Sequence, residues 1–176
     1  GPGKAVTTGG TVSADKIIIA THFPILNKHG GYFLKLYQQR SYVLALEGAP
    51  DLGGMYIDER PQGLSFRNYG GALLLGGGSH RTGKPGGWQE LESFARRHYP
   101  GARNAARWAT QDCMSLDGVP YIGQYAKGTP DLYTATGFNK WGMTSSMAAA
   151  TLLRDLVLGR ANEYAQVFRP SRRALR

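Results

Sequence analysis

Cysteine is nearly absent. Cys113 is the only one in 176 residues, which excludes an internal disulfide and any cysteine-built metal cluster within the chain. Histidine is also sparse, and His22, His29, His80 and His98 show no ligand spacing, so no metal site is expected. No apolar run approaches the roughly 20 residues of a membrane span, and no signal-peptide pattern opens the sequence. Neither a membrane nor an exported location is therefore expected, and one thiol is consistent with a reducing, cytoplasmic compartment. Acidic residues are few: 12 Asp and Glu stand against 21 Lys and Arg, a formal charge of +9. Such an excess can draw nucleic acid or an anionic ligand. Apart from Arg169, Arg172, Arg173 and Arg176, however, the cations are spread out as on a solvated surface. Nucleic acid is not an expected partner.

Several enzyme signatures are missing as well. There is no Gly-x-Ser-x-Gly elbow and no complete Gly-x-Gly-x-x-Gly loop. Gly78-Ser-His-Arg-Thr-Gly-Lys84 has the spacing of a nucleotide-binding P-loop. Pro85 stands where that loop needs a hydroxyl, and it also removes an N–H from the phosphate cradle. The segment is read as a false match.

Glycine is what the chain has in excess. The 25 glycines gather at Gly9-Gly10, Gly30-Gly31, Gly53-Gly54, Gly70-Gly71, Gly76 to Gly78 and Gly86-Gly87, the spacing of short strands joined by tight turns. Hydrophobic residues at 41% and charged residues at 19% describe a globular chain. Residues 6–12 read as a small hairpin. Ile17 to Ala20 is a continuous apolar run, as in a strand covered on both faces. Tyr32 to Leu46 reads as one long β-rich stretch, followed by shorter strands at Gly54 to Ile57, Leu64 to Asn68 and Ala72 to Leu75. A helix is expected from Gly87 or Trp88 to His98, with Leu91, Phe94 and Ala95 buried. Arg107 to Cys113 reads as a further strand and Asn162 to Phe168 as a short helical turn. The fold class that follows is α+β: a largely antiparallel sheet with one or two helices, flanked by two pieces of a doubly covered sheet.

Asp131 to Gly159 organises the rest. Leu132 to Ala135 is β-prone and reads as a buried strand. Gly137 and Gly142 bracket a loop able to turn sharply and lie close to a ligand. From Thr144 the pattern is helical, with Thr144 or Ser145 as cap, a stripe of Met147, Ala150, Leu153, Leu156 and Val157, and Gly159 as the stop. Strand, loop and helix start bring unpaired N–H groups to one point, a seat for an electron-rich oxygen or a phosphate. The same pattern also suits an ordinary strand-to-helix connection.

Three segments in order carry a family resemblance. Lys16-Ile-Ile-Ile-Ala-Thr-His22 resembles the strand that precedes the substrate domain in flavin-dependent oxidoreductases of the D-amino acid oxidase and glycine oxidase type. Asp117-Gly-Val-Pro-Tyr-Ile-Gly123 resembles their Asp-Gly-x-Pro-x-Ile-Gly segment, and Leu132 to Gly142 their flavin-facing strand and loop. The chain is most similar to bacterial members followed by a Rieske iron–sulfur domain, and Asn162 to Arg172 resembles the junction before that module. With Gly1-Pro2-Gly3 in place of an initiator methionine, the chain is expected to be the C-terminal half of such a flavoprotein. The implied division is 1–27 and 112–168 as segments of an FAD-binding domain, 28–111 as the substrate domain, and 169–176 as a basic tail.

The resemblance implies FAD, hydride transfer from an amine-type donor, and little activity without an upstream FAD-binding half. Thr136, Gly137, Phe138, Asn139, Trp141, Gly142, Met143 and Thr144 would meet the cofactor, and Lys140 would stabilise charge or hold the donor. One departure concerns the substrate. Relatives of the glycine oxidase type place a carboxylate-clamping arginine in a Trp-x-x-x-Arg arrangement; counting from Trp108, Asp112 stands there. A carboxylate would repel an amino acid's carboxylate and favour a cationic group. The alternative is a binding or interaction module on a flavoprotein-like fold without a redox role.

Overall fold

The computed structural model describes residues 3–60 and 63–172, so Arg173 and Arg176 of the basic tail lie outside the described residues. In chain order its elements are β1 (Lys4–Thr7), β2 (Gly10–Ser13), β3 (Ile17–Ile19), α1 (Tyr32–Lys35), β4 (Leu36–Glu47), β5 (Met55–Ile57), β6 (Ser65–Tyr69), β7 (Ala72–Arg81), α2 (Gln89–His98), β8 (Arg103–Ser115), β9 (Tyr121–Gln124), β10 (Leu132–Thr136), α3 (Gly142–Val157) and α4 (Ala165–Phe168). They fall into two units, Gly1–Tyr37 with Cys113–Arg176, and Gln38–Asp112. The first cut lies after Tyr37, where the sequence reading drew it after residue 27. Tyr32 and Leu36 are the reason: both are buried with Ile19, Cys113, Tyr121 and Tyr125 of the first unit.

In the first unit β1 and β2 form the hairpin expected at residues 6–12, shifted to Lys4–Ser13. A second sheet has the order β3-β10-β9. β3 runs parallel to β10 with Ile17 opposite Leu132, although more than a hundred residues of chain lie between them. β9 is antiparallel to β10. Side-chain alternation along β9 and β10 divides the core. Tyr121 joins the Tyr32–Tyr125 cluster, whereas Ile122, Tyr133 and Ala135 pack against Ala149, Leu152 and Leu153 of α3. β10 is thus buried on both faces, and Thr134 Oγ1 donates to the Ile19 carbonyl at 3.1 Å. β3 is not covered as its apolar run suggests, since Ile18 is 46% exposed.

Two local expectations are corrected here. Tyr32–Lys35 is a helical turn rather than the start of a strand. Gly31 at φ +65° reverses the chain before it, and Tyr32 is pulled inward, its hydroxyl donating to the Tyr125 carbonyl at 2.6 Å. The apolar buried face of α3 is Ala149, Leu152 and Leu153, with Leu156 and Val157 packed against it, so the expected stripe holds from Leu153 onward; Met147, 69% exposed, and Ala150 lie off it. The helix ends as read. Gly159 has φ +68°, its N–H donates to the Leu156 carbonyl, and Arg160 N–H donates to that of Asp155. That pair of bonds is a Schellman stop.

The second unit is a sheet of order β5-β6-β7-β4-β8. Leu44 and Leu46 of β4 pair with Leu75 and Leu73 of β7. These four leucines, with Tyr42, are buried under Leu91 and Ala95 of α2. Each fully buried leucine contributes roughly 1.5–3 kcal/mol, so this layer alone explains why α2 sits on the sheet. Gly78 to Arg81 lies within β7 and turns away at Thr82 without opening a helix. It therefore lacks the strand–loop–helix form of a phosphate cradle. Among the described residues, no helix is long and apolar enough to cross a membrane.

Candidate functional site

β10 delivers the chain to a tight turn whose geometry rests on two residues. Gly137 has φ +70°, and a Cβ there would stand 3.0 Å from Leu36 Cδ2 and 3.3 Å from Ser115 Cβ. Only glycine meets both the dihedral and the space. Asn139 holds φ +53°, a region asparagine tolerates better than most residues. Its N–H donates to the Cys113 carbonyl at 3.0 Å. Its side-chain amide donates to the Gly118 carbonyl at 3.0 Å and accepts from Ser115 N–H at 3.1 Å. Asn139 therefore ties the loop to residues 115–118.

The loop opens α3 at Trp141, which has no capping side chain. Thr144 and Ser145 do not cap, contrary to the sequence reading. Thr144 Oγ1 donates instead to the Trp141 carbonyl at 3.2 Å, and Ser145 N–H reaches the same carbonyl at 2.9 Å. Helix geometry leaves the first-turn N–H groups without intrahelical partners, and no acidic residue stands in that turn. Gly142 leaves them approachable, because a Cβ there would meet nothing within 4 Å. A cleft of about 360 Å³ adjoins this start, lined by Phe138, Asn139, Trp141 and Thr144 on one side and by Gly118 and Pro120 on the other. Trp141 and Met143 are 66% and 86% exposed.

The remaining expected site residues are distributed as follows. Thr136 is buried at the end of β10, where its hydroxyl donates to the His22 carbonyl and lies 3.5 Å from Cys113 Sγ. Burial raises the thiol's pKa above the ordinary value, with the Thr136 hydroxyl opposing it. Lys140 is an exposed loop residue of the first unit, and Asp112 is a half-buried residue of β8 in the second.

Sequence reasoning missed the contacts that hold the cleft's far wall. Arg172 Nε and Nη2 grip both oxygens of Asp117 at 2.7 and 2.9 Å, and the guanidinium carbon lies 3.8 Å from the centre of the Tyr121 ring. Hydrogen bonding from Arg172 holds the Asp117 carboxyl below its usual pKa. Nearby, Lys35 has a lowered pKa because burial and then the charge of Arg172 disfavour its cation. The sequence reading names Asp117 and Tyr121 within the Asp117 to Gly123 segment and Arg172 at the end of the Asn162 to Arg172 stretch, but not their pairing.

Comparison with known proteins follows the same lines. The model of a family described as FAD dependent oxidoreductase matches residues 1–156. YhfW of Bacillus subtilis (strain 168), named as a Rieske 2Fe-2S iron–sulfur protein, is 37% identical over 172 residues, covering 89% of this chain and 32% of YhfW. D-amino acid dehydrogenase of Methylobacterium nodulans is 29% identical, covering 93% of this chain and 41% of its own length. Glycine oxidase from Geobacillus kaustophilus superposes with a TM-score of 0.79 at 22% identity, over 97% of this chain and 49% of the oxidase. That structural likeness speaks for the fold alone. The chain spans between about a third and a half of the length of these relatives.

Proposed function

The chain belongs to the FAD dependent oxidoreductase family, and from that premise we propose that it serves an enzyme oxidising an amine-type donor, with the Thr136 to Thr144 loop receiving the flavin ring. One observation carries this reading: α3 begins with no capping side chain, no acidic residue in its first turn, and open space over Gly142. The free N–H groups and the positive end of the helix dipole suit the electron-rich edge of a heterocycle. Phe138 and the exposed faces of Trp141 and Met143 suit its flat apolar surface. The residues present therefore fit the cofactor.

Bound FAD would supply the hydride acceptor, and the protein its orientation and electrostatics. The chain's own contribution is to fix the loop through Gly137 and Asn139 and to offer positive potential where negative charge grows. In this reading Lys140 adds to that potential or holds the donor. Asp112 pairs with a cationic group of the donor, because a carboxylate there disfavours an ordinary amino acid's carboxylate.

The 176 residues contain no complete Gly-x-Gly-x-x-Gly loop, so we assign the pyrophosphate and adenine part of the site to an FAD-binding half outside this stretch. The likeness to YhfW supports a Rieske module as a further part of the same protein. The test is an FAD titration of the isolated chain and of the intact protein. The intact protein should bind FAD stoichiometrically and lose its oxidised-flavin absorption on adding amine donors. The isolated chain should show no submicromolar affinity. An intact protein that takes up no FAD overturns the proposal.

A further inference from the structure

We infer that Arg172 is a positioning residue for the Thr136 to Thr144 loop, acting through residues 117–120 and Asn139; the inference rests on the reading of that loop as the flavin seat. Arg172 lies far from the loop in sequence and touches none of its residues in the hydrogen bonds it makes. Its side chain is nonetheless only 12% exposed, and beyond the carbonyls of its own segment its nitrogens bond, among the described residues, only the stretch 117–120. Nε and Nη2 hold the two Asp117 oxygens, Nη2 also donates to the Val119 carbonyl, and Nη1 donates to that of Pro120 at 3.0 Å. A planar fork can fill all of these positions at once, which a lysine ammonium cannot.

The arginine is itself firmly seated. Pro170 is fully buried, and its carbonyl accepts from Lys35 Nζ at 2.9 Å. Gly123 leaves room for it, since a Cβ there would approach Pro170 Cδ to 3.3 Å. Arg172 Nη1 also donates back to the Phe168 carbonyl at 3.2 Å. The segment 168–172 is thus a fixed anchor rather than a loose strand of chain.

From the stretch it holds, the connection to the loop is one residue long. Gly118 sits at φ +74°, and its carbonyl accepts from Asn139 Nδ2. Asn139 in turn sets the left-handed turn immediately before Trp141, where α3 opens. If residues 117–120 slackened, the Gly118 carbonyl would lose its place, and Asn139 would keep only Ser115 and Cys113 as restraints. A local staple would affect residues 117–120 and stop there. A positioning residue reaches Asn139 and Trp141.

Amide hydrogen exchange on the intact protein separates the two. The informative amides are bonded now: Val119 N–H to Asp117 Oδ1 at 3.2 Å, Asn139 N–H to Cys113, and Trp141 N–H to the Phe138 carbonyl at 3.0 Å. Arg172→Gln should speed exchange at Val119, Asn139 and Trp141 by about tenfold, the scale of a lost charged hydrogen bond, with Arg172→Lys in between. If Arg172→Gln does not fold, Asp117→Asn carries the same expectation at smaller size. Asn139→Gly keeps the positive φ but removes the amide; it should speed Ser115 while residues 168–172 keep the parent rate. Acceleration at Val119 with Asn139 and Trp141 at parent rates overturns the inference. Titrating FAD into the same samples distinguishes the two readings. A loosened loop with weakened FAD binding supports both, whereas a loosened loop with unchanged FAD affinity supports the role of Arg172 and removes the loop from the flavin site.

Discussion

Replacing Gly137 by alanine should destabilise the protein far more than the same change at Gly142, five residues along the same loop. At Gly137 the backbone is left-handed, φ +70°, which disfavours an L side chain by about 1–2 kcal/mol. The added methyl also meets two neighbours. Leu36 Cδ2 at 3.0 Å is the flexible end of a side chain and can swing aside at small cost. Ser115 Cβ at 3.3 Å cannot, because Ser115 N–H is held by Asn139. Overpacking of this kind adds roughly 1–3 kcal/mol, and the stiffer unfolded chain returns about 0.4–1. The net loss is about 2–4 kcal/mol. At Gly142 the backbone is helical and the methyl meets nothing within 4 Å, so alanine should be neutral or up to about 1 kcal/mol stabilising. Denaturant titration of both variants of the intact protein, read by tryptophan fluorescence with equal m-values, gives the comparison. A loss at Gly137 below about 0.5 kcal/mol, the range of an ordinary surface change, would refute the reasoning about this turn.

Three further outcomes follow from the site. Lys140→Met should slow flavin reduction in stopped-flow mixing with a donor amine, or lower the flavin's reduction potential, because a positive charge near the growing negative charge is removed. Asp112→Asn should mainly weaken donor binding, by about 1–3 kcal/mol if a charged hydrogen bond is lost, seen as a higher KM with little change in kcat. The Asp117 carboxyl is held below its ordinary pKa by Arg172. Its contribution to stability is therefore present in full above the unfolded value near 4 and fades as pH falls through the lower folded value. Acid denaturation of Asp117→Asn should show a shallower slope in that window than the parent, and equal slopes would remove the clamp from the account.

Local signals were legible where a residue's role was set by its near neighbours. The Gly159 stop, the strand at Leu132–Thr136 and the helix at Gln89–His98 all rest on contacts within a few residues or on a regular apolar period. The runs at Ile17 and Leu132, read as two pieces of a doubly covered sheet, pair in parallel within one sheet. What stayed hidden was set by distant partners. Tyr32 begins a helical turn because its hydroxyl is claimed by Tyr125, 93 residues on. Asn139 read as a cofactor contact, yet its side chain is committed to Ser115 and Gly118. Arg172 looked like one cation of a basic tail, and its carboxylate partner lies 55 residues upstream. The stripe of α3 held at Leu153, Leu156 and Val157 but failed at Met147 and Ala150, because the run Ala148 to Ala150 carries too little size contrast to mark the inward side.

The central claim is that the open start of α3 receives the flavin, and a carboxylate placed there tests it most directly. Gly142→Asp in the intact protein puts a negative charge on a first turn that now has none. Toward the helix itself the change is favourable, by about 0.3–1 kcal/mol, so folding stability should hold or rise. Toward an electron-rich ring edge it is repulsive. FAD affinity should fall by about tenfold or more, with the reduced form affected more than the oxidised and the reduction potential shifted negative. A stable Gly142→Asp protein that binds FAD with the parent's affinity and potential would contradict the account.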